Sequence, residues 1–390
     1  MKTSLAVALL ATVLLLLPGA GNADLSSGLA AFDRGDYAKA RALLSDPSLA
    51  GDGEALMTLA RMAHEGRGGP VDEEEAYVHL TRIIMLGLED QADEAVGTRL
   101  LVATGMSRDE ILLAERRLAD LVEAEWGGGA LAAELAAAIQ ALESCTDRCA
   151  RQAQRLGALG PAARSAIPAL EAIMTRDPYW LSRAAYVNAL YTIGTASVPA
   201  LCRIAEDKAE FARSGAWNLT QVAFVLRAMG PAAAGARTCL IRVMSNLPGE
   251  RAVTPGRDDE AAGFNVLLRE GEMAAAQALI DIGDPDREAQ DAVRAAFGAA
   301  GGFKAIMLSV VLGLTYGEVQ PAMDVSRGVL RSGSSEDKAI MLSLLLHLST
   351  QPEFASRVQT LRPILAPLSQ DDDPALGAMA TRLLEIIGGD

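Results

Sequence analysis

Lys304-Ala305-Ile306-Met307-Leu308-Ser309 recurs without a change at residues 338–343, 34 positions further along the chain. Around both copies the apolar residues return at the spacing of one face of an α-helix, and no stretch shows the alternation typical of a strand. A fixed period of roughly 20–50 residues is the sequence signature of a repeat protein. The sequence therefore predicts a chain of repeated helical units.

Glycines at the ends of predicted helices keep nearly the same period. Gly160, Gly194 and Gly230 lie at steps of 34 and 36 residues, whereas Gly283 follows only after 53. The longer step predicts an insertion, which the proline- and glycine-rich residues 247–260 supply. Long connections of this kind often carry function, although a solvated loop explains the segment equally well.

Each predicted helix pair has an apolar face that it cannot bury alone, and stacking successive pairs buries these faces in one continuous core. A glycine at the end of the first helix accepts a positive φ, and a proline after it fits the first turn of the second helix. The predicted fold class is all-α: an α-solenoid of stacked helix pairs, or α-α superhelix.

Residues 130–390 resemble HEAT repeats, of the short kind found beside bilin lyases. A Gly-Pro turn and a Pro-x-Leu start of the second helix recur in register: Gly160-Pro161-Ala162-Ala163 with Ile167-Pro168-Ala169-Leu170, Ile193-Gly194 with Val198-Pro199-Ala200-Leu201, Met229-Gly230-Pro231-Ala232, and Ile282-Gly283-Asp284-Pro285. The resemblance implies a solenoid and is nearly silent on function, because one fold hosts many functions.

Residues 24–125 form a separate predicted block of helix pairs. Residues 28–44 resemble the middle of a tetratricopeptide repeat, and residues 55–87 resemble a Sel1-like repeat. The matching residues of the second stretch are Ala55, Leu59, Gly66, Gly68, Val71, Asp72, Ala76 and Gly87. Asp72 is expected to cap the helix that follows it. Trp126 and the three glycines 127–129 mark the predicted boundary to the HEAT-like block.

Residues 1–23 have the pattern of a secretory signal peptide. Lys2 gives a positive start, residues 5–17 carry no charge, and Gly21 and Ala23 offer small side chains at positions −3 and −1 of a cleavage site. Thirteen helical residues at ~1.5 Å each span about 20 Å, too short for a ~30 Å hydrocarbon core. We therefore expect cleavage, a periplasmic or secreted protein, and no stable membrane insertion afterwards.

The charge balance disfavours nucleic acid as a partner. The chain has 35 basic and 50 acidic residues, a formal net charge of −15. Such a surface repels phosphate backbones, so nucleic-acid binding is disfavoured. Half of the residues are hydrophobic and only 4% are aromatic, a composition that favours closely packed, alanine-rich helices.

The four cysteines, Cys145, Cys149, Cys202 and Cys239, have the option of pairing in an oxidising compartment. Cys145 and Cys149 are expected on one face of a helical run, where a disulfide would cross-link little. A metal site is the weaker alternative, because no histidine or carboxylate pattern completes it.

No enzyme motif stands out, and we expect neither catalysis nor a cofactor or metal. His64, His79 and His347 do not form a zinc-binding pattern, and the chain has no phosphate loop or nucleophile elbow. Asp371-Asp372-Asp373 is better explained as a helix cap than as a cation site.

Solenoids bind partners on extended faces, and aromatic residues and arginine are enriched in binding hot spots. Tyr179, Trp180 and Arg183 at one predicted helix start, and Arg213 and Trp217 at the next, are therefore the candidate partner-binding residues; packing between repeats is the alternative for both tryptophans. The sequence favours an exported scaffold that binds a protein or peptide. The alternatives are an accessory factor for cofactor or chromophore attachment, as the bilin-lyase resemblance allows, and a purely structural envelope protein.

Overall fold

The computed structural model describes residues 20–87, 89–146, 149–176, 180–207, 217–251, 259–283, 286–350 and 352–388. These residues form α-helices and short 3₁₀ helices and include no strand, so the all-α prediction is confirmed. The chain divides into two compact units, Met1–Ala196 and Ser197–Asp390. The boundary predicted at residues 127–129 lies inside the first unit and remains a prediction.

The first unit is built from ten described α-helices and two 3₁₀ helices. The α-helices are α1 (Ala20–Asp33), α2 (Tyr37–Leu44), α3 (Gly53–Glu65), α4 (Glu73–Leu86), α5 (Glu89–Gly105), α6 (Arg108–Trp126), α7 (Gly128–Glu143), α8 (Ala150–Gly157), α9 (Ile167–Arg176) and α10 (Trp180–Ile193). The 3₁₀ helices are Pro47–Leu49 and Gly160–Ala166, and Thr195–Ser197 follows at the division between the units.

The described part of the second unit has eleven α-helices. They are α11 (Val198–Ala205), α12 (Trp217–Met229), α13 (Arg237–Asn246), α14 (Asp259–Ile282), α15 (Arg287–Ala299), α16 (Gly302–Tyr316), α17 (Val319–Ser332), α18 (Ser335–Ser349), α19 (Pro352–Val358), α20 (Arg362–Leu368) and α21 (Pro374–Gly388), with 3₁₀ helices Gly230–Ala236 and Gln359–Leu361. Helix α12 packs mainly on α14, and α14 in turn contacts α16.

Polar side chains cap the first turns of two helices in the first unit. The Asp72 carboxylate accepts a hydrogen bond from the Glu75 amide at 2.8 Å, so the predicted cap of α4 is confirmed. Ser107 and Glu110 form a reciprocal capping box at the start of α6. Helix α4 then contacts α3, α5, α6 and α10, which makes it the centre of this unit.

The predicted helix-ending glycines all have a positive φ: 51° at Gly160, 88° at Gly194, 55° at Gly230 and 59° at Gly283. The prediction for the following proline is wrong after two of these glycines. Pro161 and Pro231 lie in the first turn of an intervening 3₁₀ helix and not of the second α-helix. Proline fits there because the first turn of either helix type leaves its amides without an internal partner.

Both copies of the repeated hexapeptide are helical, one in α16 and the other in α18. Met307 and Leu308 are buried, as are their counterparts Met341 and Leu342, whereas Ser309 is buried and Ser343 is exposed. The two copies therefore share two inward-facing residues, Met and Leu, and differ in burial at the isoleucine and at the serine.

The prediction that Cys145 and Cys149 share a helical run is wrong. Helix α7 ends at Glu143, and α8 begins only at Ala150. The Ser144 hydroxyl donates to the Gln140 carbonyl at 2.8 Å, a local side-chain bond of the kind that competes with helix continuation. The two cysteines form a disulfide in this connection, and Cys202 and Cys239 form a second between α11 and α13.

None of the described helices combines the length and the apolar character that crossing a bilayer requires.

Candidate functional site

The five predicted partner-binding residues fall in different settings. Tyr179 and Arg213 lie outside the described residues. Trp180 begins α10 and Trp217 begins α12, where Trp217 is half-buried. Arg183 is buried on α10, so it belongs to the interior of the first unit. The partner-binding role of this set remains a prediction.

A buried cation lies at the centre of the first unit. Arg99 on α5 is only 2% exposed. Its guanidinium carbon lies 4.3 Å from the ring centroid of Tyr191 and 5.3 Å from that of Tyr77, and its Nη1 is 3.4 Å from the Thr81 hydroxyl. Cation–π contacts of this kind gain strength where water is excluded, so Arg99 joins α4, α5 and α10.

Two polar atoms in this cluster have no hydrogen-bond partner among the described residues. They are the Nε of Arg99 and the hydroxyl of Tyr191. Burial raises the pKa of the Tyr191 hydroxyl, so this group stays neutral at physiological pH. The Tyr191 side chain also forms part of the wall of a cleft.

This first cleft has a volume of about 680 Å³. Its lining comes from α4, α5, α8 and α10 and from the residues that directly follow α4 and α8. The apolar part consists of Ile84, Met85, Leu86, Val96, Ala158, Ala185 and Ala189, with Gly87, Ala92 and Gly157. Polar side chains complete it: Asp93, Arg151, Gln154, Arg155, Asn188, Tyr191 and Thr192. The lining therefore combines apolar residues with polar groups that can fix the orientation of a ligand.

The polar groups of the first cleft differ in their availability. Arg155 is paired with Glu134, its Nε 3.1 Å from the carboxylate oxygen. Arg151 and Asn188 are exposed and form no hydrogen bond or ion pair within the described chain. An asparagine amide both donates and accepts hydrogen bonds, so the Asn188 side chain can pair with the N–H and C=O groups of a peptide backbone.

A second buried charge, Glu115 on α6, is 5% exposed. Its two oxygens accept hydrogen bonds from the Thr195 amide at 2.9 Å and from the Thr195 hydroxyl at 2.5 Å. Burial raises the pKa of Glu115, while the Thr195 hydrogen bonds and the charges of Arg99 and Arg164 lower it. The net direction is upward, because desolvation of the charged form is the largest effect.

Glu115 also lines a second cleft, of about 310 Å³. Its other lining residues are Arg108, Leu112, Arg116, Arg164, Ile193, Thr195 and Ala196. Three exposed guanidinium groups therefore surround one buried carboxylate. This is a local excess of positive charge in a chain whose overall balance is acidic.

In the second unit, the start of the predicted insertion is held against α14 and α16. Glu250 accepts a hydrogen bond from Arg269 at 2.6 Å, and the Lys304 ammonium donates to the Leu247 carbonyl at 3.0 Å. The backbone of Arg251 exchanges two hydrogen bonds with the Asn265 side chain. Residues 252–258 of the insertion lie outside the described residues.

Glu272 lies near this anchoring point and is 3% exposed. Burial raises the pKa of its carboxyl to about 7, and the charge of Glu250 raises it further, while Lys304 and Arg269 lower it. A carboxyl with this pKa changes its charge within the physiological range. Its titration therefore bears on the stability of the second unit.

The described residues contain no group of three or more histidine, cysteine or acidic side chains placed to hold a metal ion. In the aspartate run, Asp373 accepts from the Ala375 amide at 2.9 Å at the start of α21, as the cap interpretation predicted. His64 pairs with Glu73 at 2.8 Å. Both features are explained by local structure.

No sequence pattern indicated Arg99, Glu115 or either cleft. Both charged residues lie on helices with ordinary polar neighbours, and their partners are distant in the chain. The available signal was weak: each occupies a position where an apolar residue would complete the buried face of its helix.

Comparison of the chain with protein-family models, with curated proteins and with solved structures returned no match.

Proposed function

We propose that this protein is an exported helical-repeat scaffold that binds a protein or peptide partner and has no catalytic activity of its own. The successive helix pairs, the left-handed glycines at nearly regular spacing and the resemblance to HEAT and Sel1-like repeats support a solenoid. In such folds each unit stacks on its neighbours and leaves an extended surface for binding.

The first cleft is the observation that carries this proposal. Its aliphatic lining can take up apolar side chains of a partner, and the unpaired groups of Asn188 and Arg151 can hydrogen-bond to a peptide backbone or a carboxylate. Its 680 Å³ lies within the range of roughly 300–1,000 Å³ typical of binding sites.

Two features support the proposed export to the periplasm or the outside. One is the leader pattern of residues 1–23. The other is the pairing of all four cysteines, Cys145 with Cys149 and Cys202 with Cys239, because disulfides persist mainly in oxidising compartments.

Site-specific photo-crosslinking in the native host tests the binding role. The crosslinking residue p-benzoylphenylalanine replaces Asn188 in the first cleft, or replaces Leu113, which is 48% exposed on α6 outside both clefts. We expect one polypeptide adduct that forms at position 188 and not at 113. Equal adducts at both positions, or none at 188, would contradict a binding role for this cleft.

One observation favours the accessory-factor alternative. Glu115 is a buried acid with a raised pKa that lines the second cleft, and such perturbed groups are over-represented in functional sites. If Glu115 acts chemically, Glu115→Gln should abolish cofactor loading of a co-purified partner. If it only binds Thr195, loading should be unchanged.

A further inference from the structure

The second cleft contains three cations that no carboxylate of the described residues pairs with. Arg108, Arg116 and Arg164 form no ion pair within the described residues. The adjacent Arg117, by contrast, forms an ion pair with Glu74 at 3.4 Å. In a chain with 50 acidic residues, cations left unpaired around one cleft point to an anion from outside.

Backbone hydrogen bonds hold two of these side chains in place. The Nε of Arg116 donates to the Leu112 carbonyl at 3.2 Å, and the Nε of Arg164 donates to the Pro161 carbonyl at 3.5 Å. A guanidinium carries five N–H donors. The terminal nitrogens of both groups therefore remain available for the two-pronged binding that guanidinium gives to carboxylates.

Glu115 does not neutralise this cleft. Both of its oxygens accept hydrogen bonds from Thr195, and no ion pair joins it to any of the three arginines among the described residues. Arg164 acts on it only through longer-range attraction. The cleft thus keeps three positive charges against one carboxylate that is already occupied.

We propose that the second cleft binds a carboxylate group carried on a short aliphatic stem. Leu112, Ile193 and Ala196 supply apolar wall for the stem, and the volume of about 310 Å³ is at the small end of ligand sites. The carboxylate belongs either to a free dicarboxylate or to an acidic residue of a polypeptide. This site is separate from the first cleft and does not depend on its role.

The test uses fluorescence anisotropy on the full mature chain. The probe is a fluorescein-labelled peptide, Gly-Ser-Gly-Glu-Glu-Gly-Ser-Gly, and the matched control peptide has Gln-Gln in place of Glu-Glu. We expect saturable binding of the first peptide only. Displacement by glutarate assigns the site to free dicarboxylates, whereas failure of glutarate to displace it assigns the site to acidic polypeptides.

Two triple variants separate the cleft from the general surface charge. R108Q/R116Q/R164Q should lower the affinity for the Glu-Glu peptide by roughly tenfold or more. R61Q/R294Q/R382Q removes the same charge from exposed arginines elsewhere and should leave affinity nearly unchanged. R108K/R116K/R164K keeps the charge but loses the fork geometry, so we expect intermediate affinity.

Three results would overturn the proposal: an equal loss of affinity in both glutamine triples, a Glu-Glu peptide that binds no more tightly than the Gln-Gln peptide, or displacement of the Glu-Glu peptide by inorganic phosphate at the concentrations used for glutarate. All three cleft arginines are exposed, and thermal melting of each variant verifies that folding is unchanged. The photo-crosslinking at position 188 reports on the first cleft alone, so the two proposals can fail separately.

Discussion

Glu115 on α6 receives both hydrogen bonds that Thr195 can donate, one from its backbone amide and one from its hydroxyl, across 80 residues of sequence. The pair joins α6 to the turn that follows α10. Because Glu115 is almost fully buried, the two bonds supply the polar contacts that its carboxylate loses on leaving water.

Thr195→Val should destabilise the first unit by about 1–3 kcal/mol, since it removes the hydroxyl donor and leaves a buried carboxylate oxygen without its partner. Chemical denaturation measures the change. Thr350→Val is the matched control, because Thr350 is exposed and its hydroxyl bonds only to a backbone carbonyl three residues away. Equal losses from both variants would show that the Glu115 contact contributes nothing specific.

Gly194→Ala should destabilise the same turn by roughly 1–3 kcal/mol. Gly194 has a φ of 88°, and a methyl group there would overlap the Glu115 carboxylate. Gly97→Ala is the control, because Gly97 lies inside α5 with open space around it, and alanine should be neutral or stabilising by up to about 1 kcal/mol. A neutral result at position 194 would contradict the described turn.

The second unit should become less stable as the pH rises from about 4.5 to about 7. The pKa of Glu272 in the folded chain is about 7, raised by burial from 4.5. A raised pKa means that the folded state favours the protonated carboxyl. The contribution of Glu272 to the free energy of unfolding is therefore complete below pH 4.5 and is lost as the carboxyl ionises on the way to pH 7. The two pKa values correspond to a change on the order of 3 kcal/mol.

Glu272→Gln should remove most of this pH dependence, because an amide does not titrate. Thermal melting of wild type and variant at pH 5 and pH 8 gives the comparison, and the exposed Glu270→Gln serves as the control. If wild type and Glu272→Gln show the same loss between the two pH values, Glu272 is not the group responsible.

The two disulfides should differ in their contribution to stability. Cys202 and Cys239 are separated by 37 positions, whereas Cys145 and Cys149 are separated by 4. Closing the longer loop restricts the unfolded chain more. In the chain-entropy description, the Cys202–Cys239 disulfide therefore stabilises the fold by about 2 kcal/mol more than the Cys145–Cys149 disulfide does. Replacing each pair with alanines and measuring denaturant midpoints tests the order. A larger loss from the 145–149 pair would contradict it.

The mature chain should begin near Asp24. Residues 1–19 lie outside the described part, and α1 begins at Ala20, so cleavage after Ala23 would shorten this helix by one turn without removing a described buried residue. N-terminal sequencing of the exported protein is the measurement. A retained leader in a membrane pellet would count against the proposed export.

Local patterns predicted the features that depend on neighbouring residues. The glycines at 160, 194, 230 and 283, the Asp72 cap and the helical hexapeptides needed only information within a few positions. Residues with distant partners were not predictable in this way. In the sequence, Glu115 is one of many acidic residues on a predicted helix, and only the fold places Thr195 beside it. The residue type of Arg183 predicts a surface contact, whereas its position in the fold is buried.

The 3₁₀ helices Gly160–Ala166 and Gly230–Ala236 have nearly the same backbone, with φ and ψ of −87° and 17° at Ala163 and −86° and 15° at Ala233. The same four residues, Gly-Pro-Ala-Ala, therefore adopt the same turn at two separate positions in the chain. Because four consecutive residues specify the shape of this turn, inserting or removing a whole helix pair elsewhere in the chain should leave the turn unchanged.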